Sequence, residues 1–405
     1  MLCVKTTTPF SKALSFIEAK LRQVNGIKKP RCRFLSTLFE AMWTVPGRIN
    51  FLNLGRFSSL SEQTFRLQFM KEFDFLNLFI SMLSGKEKKE ILLVFDPSFI
   101  RKSGKHTYGL AKYWNGKAQR AEKGLEIGCL GAIEVNDATA YHLLAKQTSA
   151  DKTKSRMEQY VSILKNEAAK LREISQYVCV DGYFMKSTFI EPLQKEGFKV
   201  ITKMRSDGNL KEVYNGVKSK GRGRRKLYGE KIDLQQIDKR KWKKCWQTEE
   251  MIGYERIVYC VTLKQLVKVV YVHKRDTGEY EVLLSTDREL SGAKIIEYYR
   301  LRFQIEFLIR DAKQHGGLED CQARDEKKLH YHFNMSLGSV SVAKLTLWAN
   351  LDNKKEVPFS MHNIKLYFYN KYLTETIFAN LGLDLNCRKI TRLYNQCLDI
   401  GRIAA

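Results

Sequence analysis

A short apolar run that ends in an acid decides the fold: Ile91-Leu92-Leu93-Val94-Phe95-Asp96-Pro97, residues 91–97. A second run, Tyr177-Val178-Cys179-Val180-Asp181-Gly182 at 177–182, repeats the pattern. Each run has the length and the continuous apolar character of a buried strand in an open α/β sheet. Ligands of such sheets bind at the carboxyl ends of the strands, so Asp96 and Asp181 are candidate site residues. Taken singly, an aspartate at such a position is more often a helix cap or a turn residue.

The segments around these two runs predict an α/β domain with a mixed sheet. Strand-like runs at 127–135 and 141–147 precede a helix predicted over 151–174. A helix at 184–194 and a strand at 198–202 follow the second run. Three strands, a helix, a strand, a helix and a strand are typical of the α/β class. We therefore predict that residues 91–205 and 290–350 form the core.

Three flanking regions differ from this core in character. Residues 1–90 have helical apolar spacing and 15 basic against 7 acidic residues, which predicts a DNA-binding helical domain. A helical packing domain with a solvated basic face is an equally good interpretation. Residues 206–289 are β-rich and very basic, which indicates an insertion into the core. Residues 351–405 are predicted to be helical and to be a place for dimer contacts.

The whole chain is strongly basic. Seventy lysines and arginines stand against 44 aspartates and glutamates, which gives a net charge of +26. A polyanion is the simplest partner for such a surface, and nucleic acid is the first candidate. A membrane is the alternative, but no stretch approaches the about 20 apolar residues of a spanning helix. The N-terminus offers no apolar secretion segment, and nine cysteines without a CxxC pair indicate free thiols in a reducing cytosol.

A third candidate acid, Glu306, stands in the segment YYRLRFQIEF at 298–307. We predict one helix here, and at about 100° per residue one of its faces carries polar and aromatic side chains. These are Tyr299, Arg302, Glu306, Arg310 and Lys313. Glu306 then lies at the border of an apolar stripe, among cations suited to phosphates. A solvated charged face of an ordinary amphipathic helix is the alternative.

In combination these residues resemble the Y-R-E-K signature of DDE transposases, specifically of the insertion-sequence family numbered four. Tyr299, Arg302, Glu306 and Lys313 carry the signature. The segments DPSFIRKSGK at 96–105 and DGYF at 181–184, the latter followed by VITKMR at 200–205, resemble the two aspartate regions of that family. The resemblance extends over roughly residues 90 to 350.

The resemblance implies a ribonuclease-H-like fold and cut-and-paste DNA transposition. It implies that Asp96, Asp181 and Glu306 are catalytic and hold two Mg²⁺ ions, which Mn²⁺ can replace. The expected partners are double-stranded DNA, as element terminal repeats and as target, and a second copy of the chain. The expected location is the bacterial cytosol, in association with the nucleoid. A DNA nuclease on the same core without strand transfer, and a DNA-binding protein with an inactive site, are the alternatives.

We expect DNA contacts from ten side chains: Tyr299, Arg302, Lys313, Arg310, Lys102, Lys105, Arg205, Arg222, Arg224 and Arg225. The resemblance implies that the first three grip phosphates near the cut end. Members of the family generally cut the second strand through a hairpin, with an aromatic residue that holds a flipped base. Two interpretations of Trp242 and Trp246, in the basic insertion, are equally good: they are core residues, or they stack on DNA bases. His330 and His332 are expected to pack or to touch DNA rather than to bind a metal.

Overall fold

The computed structural model describes residues 13–84, 89–150, 153–205, 208–214, 216, 228–349 and 358–403. Within these ranges the chain forms helices and strands of the predicted α/β class. Five helices come first: α1 (Ala13–Gln23), α2 (Lys29–Thr44), α3 (Phe51–Arg56), α4 (Glu62–Gln68) and α5 (Phe75–Leu83). None of the described helices is long and apolar enough to cross a membrane.

Strands and helices then alternate. The first group is β1 (Ile91–Arg101), β2 (Ala111–Asn115), β3 (Arg120–Glu134), β4 (Thr139–Thr148), α6 (Arg156–Lys165), α7 (Ala168–Ile174), β5 (Tyr177–Val180), α8 (Ser187–Lys195) and β6 (Lys199–Lys203). The second is β7 (Leu210–Val213), β8 (Tyr228–Lys231), β9 (Lys243–Gln247), β10 (Met251–Cys260), β11 (Gln265–Lys274) and β12 (Tyr280–Ser285). The last is α9 (Gly292–Leu301), α10 (Gln304–Gln314), α11 (Glu326–Trp348), α12 (Met361–Asn380) and α13 (Arg388–Leu398).

Two of the differences from the sequence prediction lie away from the aspartates and Glu306. The single helix expected over 151–174 is two helices, α6 and α7, because the chain turns at Asn166 after a full apolar face of α6 is buried. Its first two residues lie outside the described ranges. Strand β2 was not predicted at all, since its five residues are too few to show a clear period.

The strands of the described ranges form one mixed sheet. Its order is β2-β3-β1-β5-β6-β12-β11-β10-β7-β8, with β4 beside β3 and β9 beside β10. The central strands β1, β5 and β6 are parallel to one another. Strand β12 pairs with β6, so the β-rich residues after 206 continue the sheet that holds the two aspartates. The division of the chain into four regions stays a prediction.

Strand β4 pairs only with β3 among the described strands, and helix α11 covers its open edge. Asn334 of α11 is fully buried and faces Ala145 of β4. Its Oδ1 accepts a hydrogen bond from the Ala145 N–H (2.8 Å), and its Nδ2 donates to the Ala145 carbonyl (2.9 Å). Further along α11, Lys344 Nζ donates to the carbonyl of Ala140 (3.1 Å). The side chains of one helix face thus take the place of a neighbouring strand.

We expect Asn334→Leu to destabilise the protein by about 3 kcal/mol, because the buried backbone groups of Ala145 would keep no partner. The measurement is denaturant unfolding of the full chain. Asn166→Leu, at an exposed position, is the matched control and should change stability by no more than about 0.5 kcal/mol. Equal stability of the two variants would contradict the assigned role of Asn334.

Candidate active site

Asp96 lies inside β1 and not at its end. The apolar run predicted a strand over 91–95, but β1 continues to Arg101 because antiparallel β3 pairs with it throughout. The parallel neighbour β5 ends at Val180. The sheet therefore opens beside Asp96 on the side of β5, and Pro97, which has no N–H to donate, is tolerated there.

Asp181 directly follows the last residue of β5. The parallel register of β1 and β5, carried two residues past its last pair, brings Asp181 level with Asp96. Asp181 is also a cap, as its alternative interpretation suggested: its Oδ1 accepts from the N–H of Tyr183 (2.8 Å) at the start of a short 3₁₀ helix. This bond orients the carboxylate without removing it from the opening between the strands.

Glu306 is placed by a bent pair of helices, so the prediction of one straight helix is wrong. Helix α9 ends at Leu301 and α10 begins at Gln304, with helical backbone angles at the two residues between them. The bend has a packing cause: α9 contacts β6, β11 and β12, whereas α10 contacts β1, β4 and α11. A straight helix cannot follow both parts of a twisted sheet. The face shared by Arg302 and Glu306 survives the bend, because Arg302 Nη2 donates to Glu306 Oε1 at 2.8 Å.

Asp96, Asp181 and Glu306 all line one cavity of about 1050 Å³. Three separate elements contribute them: a central strand, the turn after the adjacent strand, and a helix that crosses the sheet. The cavity wall also carries two further acids, Glu126 and Glu319, which pair with Arg156 and Lys313. Its six cations are Arg101, Lys112, Lys117, Arg156, Arg310 and Lys313. Acids at the centre of a wall that also carries cations suit a negatively charged polymer together with a cation that neutralises the acids.

The electrostatics of the cavity centre on Asp96. The pKa of Asp96 is raised to about 7, mainly by burial and also by the charges of Asp181 and Glu306, against the opposing effect of Arg302 and Lys313. A raised pKa means that the negative charge of Asp96 is unfavourable in the protein alone. A divalent cation between these carboxylates would remove that penalty.

Hard carboxylate oxygens are the ligands that Mg²⁺ prefers, so the chemistry of this donor set fits a divalent ion. Across the described parts of the chain, no three acidic, histidine or cysteine side chains already form a complete metal cluster. The ion pair with Arg302 accounts for this at Glu306, whose carboxylate it holds. The Glu306 side chain is 41% exposed, so it has room to turn toward the aspartates.

The residues of the Y-R-E-K signature have unequal positions. Lys313 lines the cavity, and its Nζ donates to the carbonyl of Phe99 (2.6 Å) on β1. Tyr299 and Arg302 are not among the lining residues; the guanidinium of Arg302 lies 5.8 Å from the ring centre of Tyr299. Burial raises the pKa of Tyr299 to about 12. Arg302 therefore reaches the site through its bond to Glu306.

The other expected DNA contacts are dispersed. Arg310 lines the cavity, with its guanidinium 4.6 Å from the ring centre of Phe307. Lys102 donates to the carbonyl of Cys321, and burial lowers its pKa. Lys105 and Arg205 are exposed and do not line the cavity. Three expected contacts lie outside the described residues: Arg222, Arg224 and Arg225.

Sequence reasoning missed an aromatic residue of the cavity, Trp114. Its side chain is 59% exposed and lines the cavity from β2. Of the tryptophans that were considered, Trp242 is buried, and Trp246 lies under the guanidinium of Arg300 at 5.0 Å. The sequence signal that could have found Trp114 is the segment AKYWN at 111–115, which has two adjacent aromatic residues. In the structure the tyrosine of this short strand is buried and the tryptophan is exposed.

The two histidines of α11 pack, as expected. His332 is buried, with Nε2 2.7 Å from the carbonyl oxygen of Gly317. His330 meets the ring of Phe75 edge to face. Both are used inside the fold.

Comparison with known proteins gives one family and one distant structural likeness. The family model described as a transposase DDE domain matches residues 87–340, more than half of the chain, and this span contains the three carboxylates. A cryo-EM structure of a piggyBac transposase synaptic complex with hairpin DNA is similar at a TM-score of 0.42 and 10% identity. That likeness covers 100% of this chain and 88% of the other. No curated protein matches the chain.

We expect Asp96→Asn to raise the free energy of unfolding by about 2 kcal/mol at pH 8 in chelator, because it removes a buried charge beside two other carboxylates. Mg²⁺ should stabilise the unaltered protein and have little effect on this variant. Thermal unfolding with and without Mg²⁺ measures both effects. Asp276→Asn, in an exposed turn, is the control and should behave as the unaltered protein. A less stable Asp96→Asn that still responds to Mg²⁺ would contradict the prediction.

Proposed function

We propose that this chain, which belongs to the transposase DDE domain family, cuts and joins DNA at Asp96, Asp181 and Glu306. The observation that carries the proposal is the placement of these three carboxylates on the wall of one cavity that also carries six cations. The net charge of +26 supports DNA as the substrate. The complete set of three acids argues against the alternative of a DNA-binding protein with an inactive site.

The three carboxylates would hold divalent metal ions, Mg²⁺ or Mn²⁺. Bound metal supplies activation of the attacking oxygen and neutralises charge on the leaving oxygen. The protein contributes position: Asp96 is fixed in a strand paired along its length, and Asp181 is oriented by the N–H of Tyr183. When Glu306 turns toward the aspartates, it releases the guanidinium of Arg302, which is then free to bind a phosphate.

The finer assignments are proposals on the same footing. We propose a Y-R-E-K transposase of the insertion-sequence family four type, with a ribonuclease-H-like core over 91–205 and 290–350. The bond between Arg302 and Glu306 supports the linked roles of those two signature residues. The proposed reaction is cut-and-paste transposition: hydrolysis at the element ends, then attack of the freed 3′-hydroxyl on target DNA. A nuclease without strand transfer would perform only the first of these steps.

The proposed partners are double-stranded DNA, as terminal repeats and as target, and a second copy of the chain. An exposed apolar row at the end of α12 supports self-association: Leu373 (37% exposed) and Ile377 (52%) of the helix and Leu381 (67%), the residue that caps it. Their spacing of four residues places them on one side of the helix. Bacterial chromosomal DNA as target would place the protein in the cytosol at the nucleoid.

Trp114 is proposed as a stacking residue for an unpaired base near the cut. A large exposed indole is costly in water, and aromatic side chains bind bases of any sequence by stacking. The position of Trp114 on the cavity wall supports this role. Tyr183, also exposed on the wall with Lys186 Nζ 4.0 Å from its ring centre, is a second aromatic surface there.

The decisive test uses DNA that carries the presumed element ends, incubated with purified protein in Mg²⁺ or in chelator. Asp181→Asn and Glu306→Gln should each reduce cleavage by roughly a thousandfold or more, because each removes a charged ligand group from the reacting centre. Both should retain DNA affinity. Glu279→Gln, an exposed acid paired with Lys274, is the control and should cut normally. Affinity that falls in step with cleavage would argue against the assignment, and joining of a pre-cut end would separate a transposase from a nuclease.

Trp114→Ala should weaken binding of DNA with an unpaired base at the cut end by about tenfold, which corresponds to the loss of about one base stack. Binding of fully paired DNA should change little, and Trp114→Phe should restore most of the loss. Anisotropy titrations of matched paired and unpaired oligonucleotides measure the difference. An equal loss on both DNAs would assign Trp114 to general binding instead of stacking.

A further inference from the structure

A second cavity of about 510 Å³ adjoins the active-site cavity. It lies between the end of α10, the first half of α12 and the residues before α3, and it shares Lys313 and Gln314 with the first cavity. Its basic and imidazole side chains are Arg48, Lys313, His315, His362 and Lys365. A single acid, Asp320, is found among the described residues of its wall.

The acid on this wall is already in use. Asp320 Oδ2 accepts a hydrogen bond from the N–H of Ile49 (2.8 Å), which fixes the chain next to Arg48. Its carboxylate makes no ion pair with Lys365, although the two attract at longer range. The acid therefore serves to shape the cavity wall. Lys313 is paired with Glu319 at 3.8 Å, so the positive charge of this wall rests on Arg48 and Lys365.

Lys365 is a cation on the cavity wall that has no ion-pair partner among the described residues. Its Nζ donates to the carbonyl of His315 (3.2 Å), and Asp320 acts on its charge only at longer range. Burial lowers its pKa to about 8, which shows that its charge has lost more solvation than its partners return. A protein does not gain stability from such a group, so an anion that enters the cavity would recover the lost solvation.

We propose that this second cavity binds a backbone phosphate of the DNA strand that enters the active site. The proposal rests on the proposed function and adds a substrate contact to it. Arg48 and His362 are exposed and would bind the phosphate at the mouth, and Lys365 would bind it from below. Lys313 and Gln314 form a wall common to both cavities, so one continuous strand can contact both.

The chemistry fits a phosphodiester. Guanidinium and ammonium donors bind phosphate oxygens with charge-assisted hydrogen bonds, and imidazoles add donors of adjustable charge. These residues come from chain segments that are far apart in sequence, 46–48, 313–315 and 362–369. The cavity is therefore a product of the tertiary fold and not of a local basic run.

The test measures DNA binding over a salt series in chelator, so that no cutting occurs, with the full chain and a duplex that carries the element end. Arg48→Ala and Lys365→Gln should each reduce the slope of log K against log salt by about 0.9, the value for one lost phosphate contact. Arg48→Lys should keep the slope. Lys195→Ala, an exposed lysine on α8 that lines neither cavity, is the charge-matched control and should leave the slope of its DNA binding near that of the unaltered protein.

Two further readings make the outcome decisive. Unchanged slopes in folded Arg48→Ala and Lys365→Gln, with melting temperatures like that of the unaltered protein, would overturn the proposal. A second contrary result is that inorganic phosphate or pyrophosphate stabilises the unaltered protein and not Lys365→Gln, while the variants leave the salt slope of DNA binding unchanged. That result would assign the cavity to free phosphate and would also overturn the proposal. If the variants change the slope but the protein never cuts DNA, the phosphate site in the second cavity is supported and the proposed function is contradicted. If the protein cuts DNA and the slopes are unchanged, the proposed function is supported and the phosphate site is contradicted.

Discussion

The parallel pairing of β1 with β5 is the interaction on which the site depends. Only Leu93 with Val178 and Val94 with Cys179 are paired, yet this register determines that Asp96 and Asp181 stand side by side. A slip of one residue would turn one of the two carboxylates to the other face of the sheet. Antiparallel β3 fixes β1 along the whole strand, and parallel β6 pairs with all four residues of β5 on its other side, so both strands have a second neighbour that opposes a slip.

The third carboxylate depends on the same sheet through a longer route. Helix α10, which carries Glu306, packs on β1 and β4 and on α11. Helix α11 is in turn bonded to the open edge of β4 by buried polar side chains, among them Asn334 and Ser341, whose Oγ accepts from the N–H of His142 at 2.7 Å. Such bonds have one correct register, unlike apolar packing, which tolerates sliding. The edge of β4 therefore determines where α10, and with it Glu306, lies relative to the aspartates.

Much of this arrangement can be predicted from the sequence, because the decisive signals are local. The runs at 91–95 and 177–180 are apolar throughout, as strands buried on both faces must be, and the acids that end them are visible by inspection. The failures have tertiary causes. The extension of β1 depends on the length of β3, and the bend at Arg302 depends on two packing surfaces. Trp114 could not be recognised as a cavity residue because its position depends on the pairing of β2 with β3. The same holds for the second cavity, whose walls come from three distant segments.

Arg302 is the residue that we propose to link the acids of the site with a phosphate of the DNA. Its Nη2 binds Glu306, while its Nε is buried without a hydrogen-bond partner among the described residues. An unpaired buried donor costs free energy unless some state of the protein satisfies it. In the DNA complex that we propose, Glu306 would help Asp96 and Asp181 to hold a metal ion, and the guanidinium of Arg302 would bind a phosphate of the DNA in place of Glu306. A site built in this way holds Arg302 and Glu306 together in the free protein, and metal and DNA together would separate them.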